Sequence, residues 1–179
     1  MIPRLSAEEL PPELRELLRP RVERLGYLGE FFRCAAHQPE ALGSFMTFTE
    51  DLKRALPDRL TETVALTVST MLENAYERYQ HERLSMKLGY GEEWVRGVEA
   101  LDPAGESCLS AAERAVQALT LAVVGRHGRS TTAELEAVVS AIGAAQAIAV
   151  LLLIGRYVTH ALVVNCLDLT PPVPSPLGT

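Results

Sequence analysis

The sequence is poor in cysteine, and it lacks the cysteine and histidine spacings that disulfide frameworks and zinc sites use. Only three cysteines occur in 179 residues, Cys34, Cys108 and Cys166, and no CxxC pair is present. An odd and widely spaced set of cysteines does not build a disulfide framework, so we expect a protein of the reducing cytoplasm. No two histidines have the spacing of a zinc-binding helix, and the sequence therefore predicts no metal site.

Basic clusters and long apolar runs are also absent. The formal charge is −6 and no long basic cluster occurs, which argues against nucleic acid as a partner. The longest apolar stretch, residues 141–154, contains Gln146 and is soon followed by Arg156. Because it is short and rich in alanine, we expect a buried helix at a core or subunit interface, and no membrane partner. The N-terminal residues are polar and rich in glutamate, so they predict no signal peptide.

Helix signals are abundant, whereas strand signals are few. Hydrophobic residues make up 47% of the chain, enough for one domain with its own core. We predict an all-α fold, a multi-helix array in a single domain over residues 1–170, with its core motif region at 39–89. The sequence near the end of this domain predicts two helices, 131–142 and 144–167. The proline-rich tail, 171–179, is expected to be extended and poorly ordered or to wrap a neighbouring chain.

Two serine–glutamate pairs predict helix starts, because each places a capping hydroxyl three residues before a carboxylate. Ser6 with Glu9 predicts a first helix near the N-terminus. Ser110 with Glu113 predicts a later helix by the same pattern.

A polar stripe is formed by Asn74, Glu77 and His81, whose i, i+3 and i+7 spacing places them on one helix face. Glu62 precedes His81 by nineteen residues, which would separate them by about 28 Å along one straight helix. The two side chains can meet only if the chain folds back between them. Asn74 is a good N-cap and Glu77 falls at N3, so we predict a chain reversal there and a new helix after it.

The segment from Pro39 to Leu88 resembles the core of the carboxymuconolactone decarboxylase and alkyl hydroperoxidase D superfamily. The matching residues are Glu62, then eleven residues, then Asn74-Ala75-Tyr76-Glu77-Arg78-Tyr79-Gln80-His81, followed by Leu88-Gly89. The segment from 109 to 116, which leads to the apolar closing helix, matches the usual continuation of that family. The resemblance implies an alkyl hydroperoxidase D-like helical domain and assembly into a homo-oligomer, a trimer or a hexamer.

The resemblance also separates two kinds of chemistry. Peroxidase-type members carry cysteines at the positions of Asn74 and Glu77, at a helix N-terminus that stabilises a thiolate. Because Asn and Glu cannot exchange thiols, a CxxC-type peroxidase is excluded at this site. The other branch carries Tyr-Glu-Trp-x-x-His, which here runs from Tyr76 to His81 with Arg78 in place of Trp. That branch resembles a decarboxylase that uses neither metal nor organic cofactor, and we expect no cofactor here.

Glu62, Glu77 and His81 are the predicted catalytic residues, and Tyr76 is predicted to assist them. A carboxylate beside the imidazole favours its charged form while burial opposes it, so His81 can serve as general acid or general base near neutral pH. Tyr76 can donate a hydrogen bond to a developing enolate or carboxylate oxygen. Such a set suits decarboxylation, isomerisation or proton abstraction next to a carbonyl in a small-molecule substrate.

Arg78 and Asn74 are the predicted substrate-binding residues, and Arg83 is an alternative to Arg78. An arginine suits this role because its guanidinium forms a bidentate pair with a carboxylate. Simpler roles stay open at this stage. Asn74 can act only as a helix cap, and Arg78 can pair with Glu82 at i+4. The carboxylate–histidine pair can be purely structural. His160 has no partner that the sequence identifies, which indicates a packing role.

Two other functions also stay open. One is a degenerate scaffold or binding protein that keeps the helical fold without catalysis. The other is a peroxidase-related antioxidant protein that uses a different thiol, which the missing CxxC disfavours.

Overall fold

The structure is a computed structural model that describes residues 2–178, and these residues form eight α-helices and no β-strand. The predicted all-α fold is therefore confirmed. The helices are α1 (Pro12–Leu25), α2 (Glu30–Ala35), α3 (Pro39–Ala55), α4 (Asp58–Met71), α5 (Ala75–Lys87), α6 (Glu92–Glu99), α7 (Ala111–Gly125) and α8 (Thr132–Cys166).

Helix α4 lies at the centre of the domain, where it contacts α5, α6, α7 and α8. Every residue from Leu60 to Ser69 is buried. Different sides of the helix face different partners, since Val64 packs with α7 and α8 whereas Leu66 packs with Trp94 of α6. A helix that is apolar on several sides is typically buried in this way. Glu62 lies within this buried run and is therefore held in the interior.

The chain reverses between α4 and α5 as the sequence predicted. Glu73 adopts a left-handed backbone conformation with φ 52°, which ends α4. Asn74 then caps α5, where its Oδ1 accepts a hydrogen bond from the backbone N–H of Glu77 at 3.2 Å. This cap satisfies a helix N–H that has no partner within the helix. The reversal carries α5 back along α4 and brings His81 beside Glu62.

Helix α8 is divided at Gly143, whose φ of 82° and ψ of 161° are not helical. The two predicted helices, separated at this residue, are therefore recovered as two segments of one long element. By length and composition α8 could cross a membrane, with a mean hydropathy of 2.4 over its most apolar window, of which 33% is buried. Core helices of water-soluble proteins pass the same test, and α8 packs against α3, α4 and α7.

The predicted first helix at Ser6 does not form, and the structure has a single turn there. The backbone N–H of Ser6 does donate to Oε2 of Glu9 at 2.7 Å, so half of the expected capping pattern exists. The following residues, Pro11 and Pro12, have no N–H to continue a helix. Pro12 instead becomes the first residue of α1, a position where proline is well tolerated.

The serine cap predicted further along the chain is present. Ser110 accepts a hydrogen bond from the backbone N–H of Glu113, and the Glu113 side chain accepts one from the backbone N–H of Ser110. This reciprocal capping box begins α7.

The proline-rich tail packs on its own chain over the residues that the structure describes. The Ser175 hydroxyl donates to Oε2 of Glu82 on α5. The Leu177 carbonyl accepts a hydrogen bond from Arg96 of α6 at 3.3 Å. Val173 reaches one side of the cavity described below, so the tail forms part of that wall.

Candidate active site

Three buried side chains from α4 and α5 form a carboxylate–imidazole–carboxylate arrangement. His81 Nδ1 lies 2.6 Å from Oε2 of Glu62, and His81 Nε2 lies 3.8 Å from Oε1 of Glu77. The exposed fractions are 2% for Glu62 and 7% for each of the other two. The imidazole is therefore held between two carboxylates, one on each ring nitrogen.

Helix α8 adds two residues to this cluster that no local sequence pattern connects to it. Arg156 donates from Nη1 to Oε1 of Glu77 at 2.8 Å and from Nε to Oγ1 of Thr49 at 3.1 Å. His160 Nε2 lies 3.6 Å from Oε2 of Glu77. His160 therefore has a charged neighbour as well as packing contacts. An arginine and a histidine spaced i, i+4 within an apolar helix were the available signal, because unpaired charges are rarely buried.

The neighbouring carboxylates keep His81 protonated at neutral pH. Burial alone would lower the pKa of the imidazole, but the charge of Glu62 and its hydrogen bond, with help from Glu77, raise the pKa from 6.5 to about 9. His81 is thus a cation that donates its Nδ1–H to Glu62. It holds a transferable proton on the side that faces Glu77.

The pKa values of Glu77 and His160 are both lowered. Burial would raise the pKa of Glu77, but its neighbours His160, Arg156 and His81 together lower it well below the ordinary value. Burial lowers the pKa of His160 from 6.5 to about 4 despite the nearby Glu77. Because His160 is neutral near pH 7, the positive charge beside Glu77 there comes from Arg156 and His81.

An open cavity of about 380 Å³ leads to this cluster. Its inner wall includes Glu77, His81 and Arg156, all buried. Its mouth carries the exposed side chains of Arg83 and Lys87. The remaining cationic side chains on its wall are Arg21, Arg24 and Lys53. Cations therefore outnumber the one carboxylate in the lining, which favours anionic ligands.

Two buried polar atoms beside the cavity have no hydrogen-bond partner among residues 2–178. These are the Tyr157 hydroxyl and Nδ1 of His160, and both residues line the cavity. Burial raises the pKa of Tyr157 far above its usual value, so its hydroxyl stays a donor. Unsatisfied buried polar atoms are rare in folded proteins, and a ligand with oxygen atoms could satisfy both of these.

Tyr76 lies on the same wall, where its hydroxyl accepts a hydrogen bond from the backbone N–H of Phe31 at 3.3 Å. Burial raises the pKa of Tyr76 well above its usual range, so its own proton remains available to donate. Gly29 gives this ring its space, because a Cβ there would lie 2.7 Å from the Tyr76 oxygen.

Solved structures of similar shape identify the architecture. An uncharacterised peroxidase-related protein from Ralstonia eutropha, an alkylhydroperoxidase AhpD core, superposes with a TM-score of 0.82 at 16% identity, over 94% of this chain and 90% of that one. A Cys-to-Ala variant of the debrominase Bmp8 in complex with 2,3,4-tribromopyrrole gives 0.80 at 15% identity, over 95% and 90%. The chain has the AhpD-like fold. Comparison of its sequence with protein-family models and with curated proteins finds no match.

A third structure with the AhpD-like fold matches a smaller part of this chain. It is a protein of unknown function from Agrobacterium tumefaciens, assigned provisionally to antioxidant defence as an AhpD protein. It gives a TM-score of 0.69 at 17% identity, over 78% of this chain and 96% of that one. At such identities the likeness establishes the fold and leaves the chemistry to the residues of each protein.

Within this AhpD-like fold, the predicted substrate-binding residues do not line the cavity. Arg78 Nε instead lies 3.3 Å from Oε1 of Glu82, the i+4 ion pair predicted as the alternative role of Arg78. Its guanidinium stacks on the Tyr79 ring. Asn74 is buried and uses its side-chain oxygen for the helix cap. The helical spacing explains both outcomes, since Arg78 projects from a different face of α5 than His81.

Glu62 is separated from the cavity by His81 and lines a neighbouring cavity of about 720 Å³ instead. Both cavities share Arg21, Arg24 and Lys53 in their walls. A carboxylate behind the imidazole can orient it and retain its charge without touching a ligand in the first cavity.

None of the three cysteines contributes to either cavity. Cys34 is buried in the apolar cluster around α2, whereas Cys108 and Cys166 are exposed. Burial raises the pKa of the Cys34 thiol, which makes it less reactive. Among residues 2–178, no group of three His, Cys, Asp or Glu side chains is arranged to hold a metal ion.

Proposed function

We propose that this chain is a cofactor-independent acid–base enzyme that acts on a small carboxylated or carbonyl compound by decarboxylation, isomerisation or proton abstraction. One observation carries this proposal. His81, hydrogen-bonded to Glu62 and within 3.8 Å of the Glu77 carboxylate, lies at the floor of an open cavity whose wall is dominated by cations. A purely structural histidine–carboxylate pair has no need of an open approach.

In this proposal His81 is the general acid. Its pKa of about 9 keeps it charged at neutral pH, and a nearby developing carbanion or oxyanion can take its proton. Glu62 orients the ring and takes no part in contact with the substrate. Glu77 stabilises the charged ring from the cavity side. Tyr76 and Tyr157 supply hydroxyl donors for substrate oxygens, where donors in place before reaction are most effective.

A non-catalytic scaffold is the second candidate of the same fold. The unsatisfied Tyr157 hydroxyl and His160 Nδ1 beside the cavity argue for a ligand, and they fit a binding protein as well as an enzyme. Turnover, as opposed to binding, separates these two functions. The peroxidase and antioxidant descriptions belong to the similar structures and gain no support here, because no cysteine lines either cavity.

The test is a screen of small lactones and oxo acids for consumption, followed by variants on any substrate found. We expect His81→Gln to lower turnover by about 10²- to 10⁴-fold, the usual range for a positioned acid. His127→Gln, in the exposed α7–α8 turn, is the matched control and should leave turnover unchanged. Equal turnover in the wild type and in His81→Gln would contradict the acid role. Ligand binding without any turnover would favour the scaffold.

A thiol mechanism has its own test. A variant in which Cys34 becomes Ala and both Cys108 and Cys166 become Ser should keep every activity of the wild type. Loss of an activity in this folded variant would restore the thiol peroxidase as a candidate.

A further inference from the structure

The chain contains only two lysines, and both line the same cavity. Fifteen of its seventeen Lys and Arg residues are Arg, and the two exceptions are Lys53 and Lys87. Arginine serves for anion binding at least as well as lysine, but its guanidinium does not lose a proton in proteins. Lysine can lose its proton and then attack a carbonyl carbon. The placement of both lysines here therefore calls for an explanation beyond positive charge.

Lys53 is partly withdrawn from solvent, whereas Lys87 is exposed. Lys53 is half-buried on α3, in the wall shared by the two cavities. No carboxylate among residues 2–178 lies within 4.0 Å of its Nζ. The two carboxylates that act on the charge of Lys53 are already paired, Glu50 with Arg21 and Glu62 with His81.

The charges around Lys53 act in the same direction as its burial. Burial lowers the pKa of its amine, and Arg21 and Arg156 lower it further, against the weaker opposing effects of Glu62 and Glu50. A desolvated amine beside other cations is a known arrangement for a lysine that must react in its neutral form.

We propose that Lys53 is a covalent nucleophile that forms an imine with the ketone of a 3-oxo carboxylate. This inference rests on the proposed function, because it names the substrate class and the covalent step for the same cavity. The cations at the mouth and on the wall, Arg24, Arg83 and Lys87, attract the carboxylate end of such a substrate.

The reaction balances without an added oxidant or reductant. The Lys53 amine adds to the ketone carbon, and loss of water gives a protonated imine. The bond between the carboxylate carbon and C2 then breaks, CO₂ leaves, and the electron pair moves to the iminium nitrogen to give an enamine. His81 gives its proton to C2 of the enamine, and water hydrolyses the resulting imine to release a ketone and the free amine.

The experiment traps the imine by reduction. The full-length protein is incubated with acetoacetate, and separately with 3-oxoglutarate, and quenched with sodium borohydride before the modified residue is located by mass spectrometry. We expect the reduced adduct on Lys53, no such adduct in Lys53→Arg, and an unchanged adduct in the control Arg129→Lys, which introduces an amine in the exposed α7–α8 turn. CO₂ release should fall to the uncatalysed rate in Lys53→Arg and stay at the wild-type rate in Arg129→Lys. Because the adduct is located in the unaltered protein, the result does not depend on how well a variant folds.

Failure of this inference and failure of the acid–base role give different results. Modification of Lys87 or of the amino terminus alone, or no adduct with either compound, overturns the role of Lys53. Full CO₂ release by Lys53→Arg overturns it too, and leaves the proposed acid–base function intact if His81→Gln is inactive. A Lys53 adduct together with full turnover by His81→Gln instead supports the nucleophile and contradicts the acid.

Discussion

His81 Nδ1 lies 2.6 Å from the Glu62 carboxylate, although the two residues are separated by a complete reversal of the chain at Asn74. The contact exists because α5 begins at a capped N-terminus and runs back along α4. The position of His81 thus depends on the chain reversal and helix cap at Asn74. Disrupting that cap should change both the free energy of unfolding and the pKa of His81.

Replacing the helix cap tests this dependence. Asn74→Ala removes the acceptor for the Glu77 N–H and should lower the free energy of unfolding by about 1 kcal/mol. Ser110→Ala removes a comparable cap on α7 and is the control. Both variants should be destabilised in urea, but only Asn74→Ala should lower the pKa of His81. A shift of that pKa in both variants, or in neither, would count against a specific role for the α5 cap.

The pH dependence of stability follows from the shifted pKa of His81. The folded-state pKa of about 9 lies above the ordinary 6.5, so His81 stabilises the fold fully below pH 6.5 and this contribution is lost as pH rises through 9. The loss should amount to about 3 kcal/mol, measured as the free energy of unfolding in urea at successive pH values. His81→Gln should flatten the profile between pH 6.5 and 9.

His160 makes the free energy of unfolding depend on pH in the acid range, where stability is lost as pH falls. Its folded-state pKa of about 4 lies below 6.5, so stability is lost as pH falls from 6.5 through 4. His160→Gln should remove part of this acid loss and leave the alkaline loss in place. Equal effects of the two histidine variants on both sides of the profile would be incompatible with their separate shifts.

Local signals predicted the elements that depend on a few neighbouring residues. The reversal at Asn74, the cap at Ser110 and the division of the last helix at Gly143 are all visible as short patterns, and all three are present. The helix start predicted at Ser6 shows the limit, because Pro11 and Pro12 allow only a single turn before the chain restarts in α1.

The sequence predicted only part of the candidate site. Glu62 and His81 could be linked because a single reversal joins two consecutive helices. Arg156 lies 79 residues from Glu77, and no local pattern says which face of α8 meets α5. Arg78 lines neither cavity for a related reason, since a charge near a motif can pair within its own helix, here with Glu82.

The buried ion pair between Arg156 and Glu77 should be sensitive to the loss of one partner. Arg156→Met leaves a buried carboxylate with less compensation and should lower the free energy of unfolding by about 3–5 kcal/mol. The double variant Arg156→Met with Glu77→Gln removes the stranded charge and should recover part of that loss. Urea denaturation of the three proteins tests this. A double variant less stable than Arg156→Met would show that the pair does not act as a unit.

We propose that α8 also mediates self-association, as the sequence resemblance implied. Ile148, Leu152 and Leu162 are exposed by 56%, 45% and 57%, and their spacing places them along one side of the helix. Ile148→Glu with Leu162→Glu should reduce the molecular mass measured by sedimentation, whereas Phe48→Glu on α3 should not. A wild-type chain that sediments as a monomer at high concentration would contradict the proposal.

The protonation state of His81 is the point on which the proposed chemistry depends, and the nitrogen chemical shifts of the imidazole report it directly. With four histidines in the chain, a His81→Gln spectrum identifies the signal. We expect the His81 ring to titrate with a midpoint near pH 9, and Glu62→Gln to move the midpoint downward. A midpoint near the ordinary 6.5 in the wild type, unchanged in Glu62→Gln, would show that the carboxylate does not hold the proton and that His81 is not the acid.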